Sequence, residues 1–160
     1  MSPEDRQKIE RALRRKTLSH ADFGLVERLG DDAFEVLKGA LGPASAPVEK
    51  ANGMRLLVRV GTTVSPSLGK PRLPEVFGLA ADLISDPNPT VRATAIRIAG
   101  GSLSLMLKLG MSLDAVGGVR RTWNVLRTAL GQVSAAGDRR TLETLMRNLE
   151  QHLGQSSDPG

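Results

Sequence analysis

Few side chains in this 160-residue sequence could drive a reaction, and none stands in the company that catalysis needs. The two histidines, His20 and His152, lie far apart, each in or beside a helix end, with no second ligand at a spacing such as His-x-x-x-His. A capping or surface role fits both. Ser65 and Ser67 flank Pro66 but lack the glycine framing that exposes a serine nucleophile on a strained turn. Gly117-Gly118-Val119-Arg120-Arg121 sets glycines ahead of bases, yet it does not have the spacing of a phosphate loop. Glu75 and Asp82 are isolated carboxylates. Chemistry on a flipped base needs an aromatic platform and a catalytic acid. Trp123 with Asp114 is all the chain offers, and packing of Trp123 with Leu126 and Leu130 is the simpler reading. There is no cysteine, so disulfides, thiolate metal sites and a cysteine nucleophile are excluded together. The chain reads as non-enzymatic, with no cofactor and no metal.

The elements that carry these residues are helical by pattern. Residues 3–16 have Pro3 in the first turn, Glu4 and Asp5 at the positive end of the dipole, and Arg14, Arg15 and Lys16 at the negative end. Only Ile9, Ala12 and Leu13 form its apolar stripe, which predicts a weakly packed cap or mobile arm. A second helix runs from Ser19 to Leu29, with Ser19 and Asp22 spaced as a capping box, and Gly30 ends it. Asp31 is placed to cap a third over 32–41, and a fourth spans 47–60. Residues 62–74, with three prolines and a glycine, read as a true loop.

Helices are expected at 74–85 and 89–99, the second capped by Asn88 with Pro89 at its first position. Apolar residues alternate over 102–113 with strand period, but they are Leu and Met without a β-branched residue, so a short buried helix is expected there. Further helices at 112–130, weakened at Gly117-Gly118, and at 138–153 complete a single domain over 1–153. Residues 154–160 read as a disordered tail.

A shift of 42 superposes the two middle helix pairs. Lys50, Ala51, Gly53 and Arg55 fall on Arg92, Ala93, Ala95 and Arg97, Pro47 falls on Pro89, and Leu41 on Leu83. A weaker third copy appears at a shift of 47, where Arg139, Leu142 and Leu145 match Arg92, Ala95 and Ile98. These periods suit stacked helix pairs. Asp86-Pro87-Asn88-Pro89-Thr90-Val91-Arg92-Ala93-Thr94-Ala95, followed by Ile98-Ala99-Gly100, resembles the HEAT-repeat family. The resemblance is good over 74–101, fair over 33–61 and poor over 121–153. It implies an all-α fold, a short α-solenoid of HEAT-like helix pairs with an N-terminal helical cap. It also implies a polar ladder through Asp86 and Arg92. The first copy has Ala44 at the Asp position, which leaves that rung without its acid.

Turning Val91, Ala95, Ile98 and Ala99 toward the core leaves Arg97 on the opposite side, at about 100° per residue. Arg55 holds the equivalent place, Arg59 lies one turn on, and in the third copy Arg140 lies a turn before Thr144. Under the resemblance, these four arginines would line the concave, ligand-binding side as a basic stripe. A solvated charged face is the plain alternative. The net charge of +5 mixes 22 bases with 17 acids, so it keeps acidic partners and nucleic acid in play without selecting either.

The acids at the N-terminus do not suit a secretory signal, and no apolar run approaches a membrane span, so the cytoplasm is the expected location. The function expected is a protein–protein interaction scaffold or adaptor whose concave face binds another, possibly acidic, protein. Nucleic-acid backbone binding through the basic stripe is the alternative.

Overall fold

The computed structural model describes the backbone of residues 1–155 and the side-chain surroundings of residues 1–151. Every regular element among them is helical. In chain order these are α1 (Pro3–Leu13), α2 (His20–Leu29), α3 (Asp31–Gly39), α4 (Pro47–Gly61), α5 (Leu73–Ala81) and α6 (Pro89–Lys108). A 3₁₀ turn (Leu113–Val116), α7 (Gly118–Leu130) and α8 (Ala136–Gln155) follow. No described helix is long and apolar enough to cross a membrane.

Local caps act where the sequence puts them. The Ser2 hydroxyl accepts from the Asp5 amide, the Ser19–Asp22 capping box closes in both directions, and Asn88 Oδ1 accepts from the amides of Thr90 and Val91. Asp31, however, does not cap α3. Gly30, at φ 57° and ψ −124°, ends α2 and begins α3 with no linker, and Asp31 is already helical. Such a backbone suits glycine, and it leaves the Asp31 carboxylate free for another partner.

Several boundaries differ from expectation. The segments expected at 89–99 and 102–113 are one helix, α6, which runs through Gly100 and Gly101 to Lys108. Two glycines cost a helix about 1 kcal/mol each in propensity. Packing overrides this: Ile96 and Ala99 before the pair and Leu103 and Met106 after it are all buried in one core cluster. Leu103 and Met106 are buried while Leu109 is exposed, which is helical period and not strand alternation. Conversely, the helix expected over 112–130 is broken rather than bent, because Gly117 and Gly118 take φ of 93° and 90°. The helix expected to reach 85 stops at Ala81, with 82–85 in turn. α8 runs past 153 to Gln155, and the tail expected over 154–160 lies, from residue 156 onward, outside the described residues.

The first helix is no loose arm. Ile9, Ala12 and Leu13 are buried, and the Asn52 side-chain amide, from α4, donates to the carbonyls of Leu13 at 2.9 Å and Arg15 at 2.8 Å. These carbonyls belong to a helix end that has no partners of its own. Asn52→Ala should therefore lower stability by about 1–3 kcal/mol in urea denaturation; an unchanged midpoint would remove this account of how α1 is held.

Two apolar clusters make the core. One gathers Ile9, Phe34, Leu37, Leu56 and Leu57 among α1–α4. The other gathers Phe77, Val91, Leu103, Met106, Leu126 and Leu142 among α5–α8. Leu41, just after α3, and Ile98, on α6, pack against both. Each of α4, α6 and α8 packs on the helix before it, and α4 touches α6 as α6 touches α8.

Candidate functional site

The four arginines expected to form a stripe lie on α4, α6 and α8 with exposed side chains, and their partners differ. Arg59 Nη1 meets Glu27 at 3.0 Å and its guanidinium lies 5.0 Å from the Phe23 ring, so it ties α4 to α2. Arg97 Nε meets Asp138 at 3.1 Å and ties α6 to α8. Arg55 donates to Asn52 Oδ1 at 3.3 Å. Arg55 and Arg140 have no carboxylate within 4.0 Å among the described residues. Two of the four thus hold helices together, and no shared partner joins any pair of them.

The ladder takes a different form from the one expected. Asp86 Oδ2 accepts from Lys50 Nζ at 2.9 Å, and both side chains are largely buried, at 7% and 13% exposure. Arg92 reaches instead to the carbonyls of Asp86 and Pro87, at 2.9 and 3.0 Å. Lys50 occupies in the first helix pair the place Arg92 occupies in the second, so the charge pair crosses from α4 to the turn before α6. The Asn88 amide, and then Lys50, hold the Asp86 carboxyl below its ordinary range. In the third copy Arg139 finds, among the described residues, the Leu130 carbonyl at 3.4 Å and Glu143 at 4.0 Å.

The largest ionic constellation was not visible in the sequence. Arg72, at the end of the loop before α5, is 9% exposed, and its guanidinium stacks 3.6 Å from the Phe34 ring centroid. It meets Glu75 and Glu35 at 3.0 Å and Asp31 at 3.4 Å. Burial opposes its charge, but the hydrogen bonds it donates to Glu35 and Glu75 more than offset this, and the guanidinium is held even more firmly protonated. On its other side the Asp31 carboxylate accepts from Ser65 Oγ at 2.9 Å and Ser67 Oγ at 2.7 Å. The hydroxyls of Ser67 and Ser65 lower the Asp31 pKa below its ordinary value.

The two serines considered as nucleophiles and the carboxylate of Glu75 thus belong to one structural cluster. That cluster pins residues 62–72. Ser65 N–H also donates to the Lys70 carbonyl, Gly69 N–H to the Ser65 carbonyl and Arg72 N–H to the Gly61 carbonyl. What the pinned loop turns outward is apolar and basic: Val64 and Leu68 are 62% and 50% exposed, and Lys70 is exposed.

Beside the loop, a cleft of about 510 Å³ opens between α5 and the start of α7. Phe77, Leu79, Val116 and Val125 give it apolar lining, with Leu68 at its edge. Its charged groups are Lys38, Lys70, Arg72, Glu75, Asp82 and Arg121. Glu75 is engaged by Arg72 and lies 3.9 Å from Lys38. Lys70, Arg121 and Asp82 have no ion-pair partner among the described residues. Arg121 folds back over Gly117, where any Cβ would collide with its side chain.

The remaining sequence candidates stay apart from this site. His20 is exposed at the first position of α2, and the His152 side chain lies outside the described residues. Trp123 is half-buried under Arg127, whose guanidinium lies 5.6 Å from the ring, and its indole N–H has no partner among the described residues. Asp114 sits in the 3₁₀ turn, its amide capped by Ser112. No group of three potential metal ligands occurs among the described residues. Comparison with known proteins finds no matching family model, no matching curated protein and no matching solved structure.

Proposed function

We propose that this chain is a protein-interaction module, a binding scaffold rather than a catalyst, built as a short HEAT-like stack of helix pairs. In this reading α1 and α2 cap the stack, and α3/α4, α5/α6 and α7/α8 are its pairs. The Lys50–Asp86 bond across successive pairs supports that arrangement, as does the contact of α4 with α6 and of α6 with α8. The observation that carries the functional reading is the pinned loop. A buried arginine, three carboxylates and two hydroxyls are engaged with one another in holding residues 62–72 still. Their product is a pinned apolar and basic surface beside a cleft, not an acid–base pair poised toward substrate. Exposed apolar side chains beside a cleft, as Leu68 and Val64 are, offer surface that a bound protein can cover.

The stripe of Arg55, Arg59, Arg97 and Arg140 is the weaker candidate surface, for an acidic protein or for nucleic acid alike. Arg59 and Arg97 already face Glu27 and Asp138, and phosphate contacts would have to displace these acids. The test is site-specific photo-crosslinking in the native host. A photoreactive residue at Leu68 is expected to trap a discrete partner, whereas one at exposed Arg11 on α1 is expected to trap none. Identical patterns at the two positions, or no product at Leu68, would refute the reading.

A further inference from the structure

We infer that the cleft between α5 and α7 takes an extended segment of a partner protein in which an acidic residue stands close to a large apolar one. This rests on the interaction-module reading and adds the chemistry of what is bound. The apolar lining, with Phe77, Val116 and Val125, calls for a Leu- or Phe-sized side chain. Leu68, half exposed, lines the cleft from the loop, and Val64 on the same loop is also exposed. A longer peptide covers that surface, whereas a small molecule confined to the cavity leaves it wet.

Charge sets the rest. Arg72 is already matched by Asp31, Glu35 and Glu75, and so offers a ligand little. The free positive charge belongs to Lys70, on the loop, and to Arg121, on α7. A carboxylate of the bound segment meets these two groups. Asp82, on the same lining, opposes it, so the site makes opposite predictions for substitutions of neighbouring charges.

Gly78 supplies a way to close the cleft without disturbing the fold. It lies on α5 in the lining, and nothing stands within 4 Å of a Cβ added there. Gly78→Phe therefore fills the cleft from a helical position where most residues are better helix formers than glycine.

The experiment selects a random twelve-residue peptide library on the full chain and measures the enriched sequences as synthetic peptides by fluorescence anisotropy. Enriched peptides are expected to carry Asp or Glu within two positions of Leu, Ile, Phe or Trp. Lys70→Glu and Arg121→Glu should each weaken binding by about tenfold, and Asp82→Asn should tighten it by about two- to threefold. Gly78→Phe should abolish binding while leaving the thermal midpoint unchanged or raised. Circular dichroism of each variant separates lost binding from lost fold. Peptides without an acidic pattern, affinities indifferent to the three charge changes, binding that survives Gly78→Phe, or no enrichment at all would overturn the inference. A partner trapped at Leu68 whose yield ignores Lys70, Arg121 and Asp82 would sink this inference alone. The absence of any Leu68 partner would sink the interaction reading beneath it.

Discussion

Replacing Arg72 with alanine is expected to destabilise the protein by about 3 kcal/mol, the low end for stripping one partner from a buried ionic group, because Glu35 and Glu75 are partly exposed and can rehydrate. Three carboxylates would then face one another without their shared cation, and Phe34 would lose the guanidinium stacked on it. In a chain of this size such a loss lowers the thermal midpoint by roughly 6–12 °C. Arg72→Met separates the two contributions: it can keep apolar contact with Phe34 but leaves the carboxylates unpaired, so it should recover only a minor part. Hydrogen exchange adds a local readout. The amides of Ser65 and Gly69, which donate to the Lys70 and Ser65 carbonyls, should lose protection beyond what the global destabilisation explains. A midpoint within 1 °C of the parent, with the loop still protected, would show that the cluster does not hold the loop.

Lys50→Ala is expected to have the second-largest effect, about 2–3 kcal/mol, since it leaves the Asp86 carboxylate in a site that is 7% exposed with only backbone donors and Arg92 nearby. Arg92→Ala removes hydrogen bonds to two carbonyls and should cost about 1–2 kcal/mol. Arg97→Ala removes a surface ion pair and should cost under about 1 kcal/mol. The order Lys50, Arg92, Arg97 in denaturant midpoints is the checkable result, and equal midpoints for Lys50→Ala and Arg97→Ala contradict it.

The pair also has a pH signature. The folded Asp86 pKa lies below the ordinary 3.8, so its contribution is complete above that value and disappears as pH falls through the depressed folded pKa. The gap between parent and Lys50→Ala should therefore be full at neutral pH, begin to narrow at about pH 4 and go on closing as pH falls through the depressed folded pKa.

The readable parts of the fold were local. Ser19 with Asp22, and Asn88 with Pro89, sit within one turn of the backbone groups they satisfy, and helix starts follow directly from such spacings. The breaks at Gly30 and Gly117 were marked by glycine itself. The unreadable parts join residues far apart in the chain. Asn52 reaches Leu13 across 39 positions, Asp31 reaches Ser65 across 34, and Arg72 reaches Glu35 across 37. A serine flanking a proline or a lone glutamate carries no sign of which distant carboxylate or guanidinium it will face. The ladder was half legible for the same reason. The repeat marked Lys50 and Arg92 as equivalent, but equivalence alone does not say that Lys50 reaches forward while Arg92 turns back. The continuity of α6 through two glycines was hidden because the burial of Ala99, Leu103 and Met106 that sustains it is made against other helices.

The junction at Gly30 constrains chain length as much as residue type. With one residue serving as the end of α2 and the start of α3, there is no slack to absorb an insertion or a deletion. One added residue within the start of α3 would turn Asp31 by about 100° around the helix relative to Phe34 and Glu35, carrying its carboxylate away from Ser65, Ser67 and Arg72. The pinned loop, more than 30 positions later, would lose its anchor although none of its own residues had changed. The 132–135 segment between α7 and α8 takes no part in that cluster, so an added residue there would leave the anchor in place. At Gly30 the structure demands a spacing as well as a residue type.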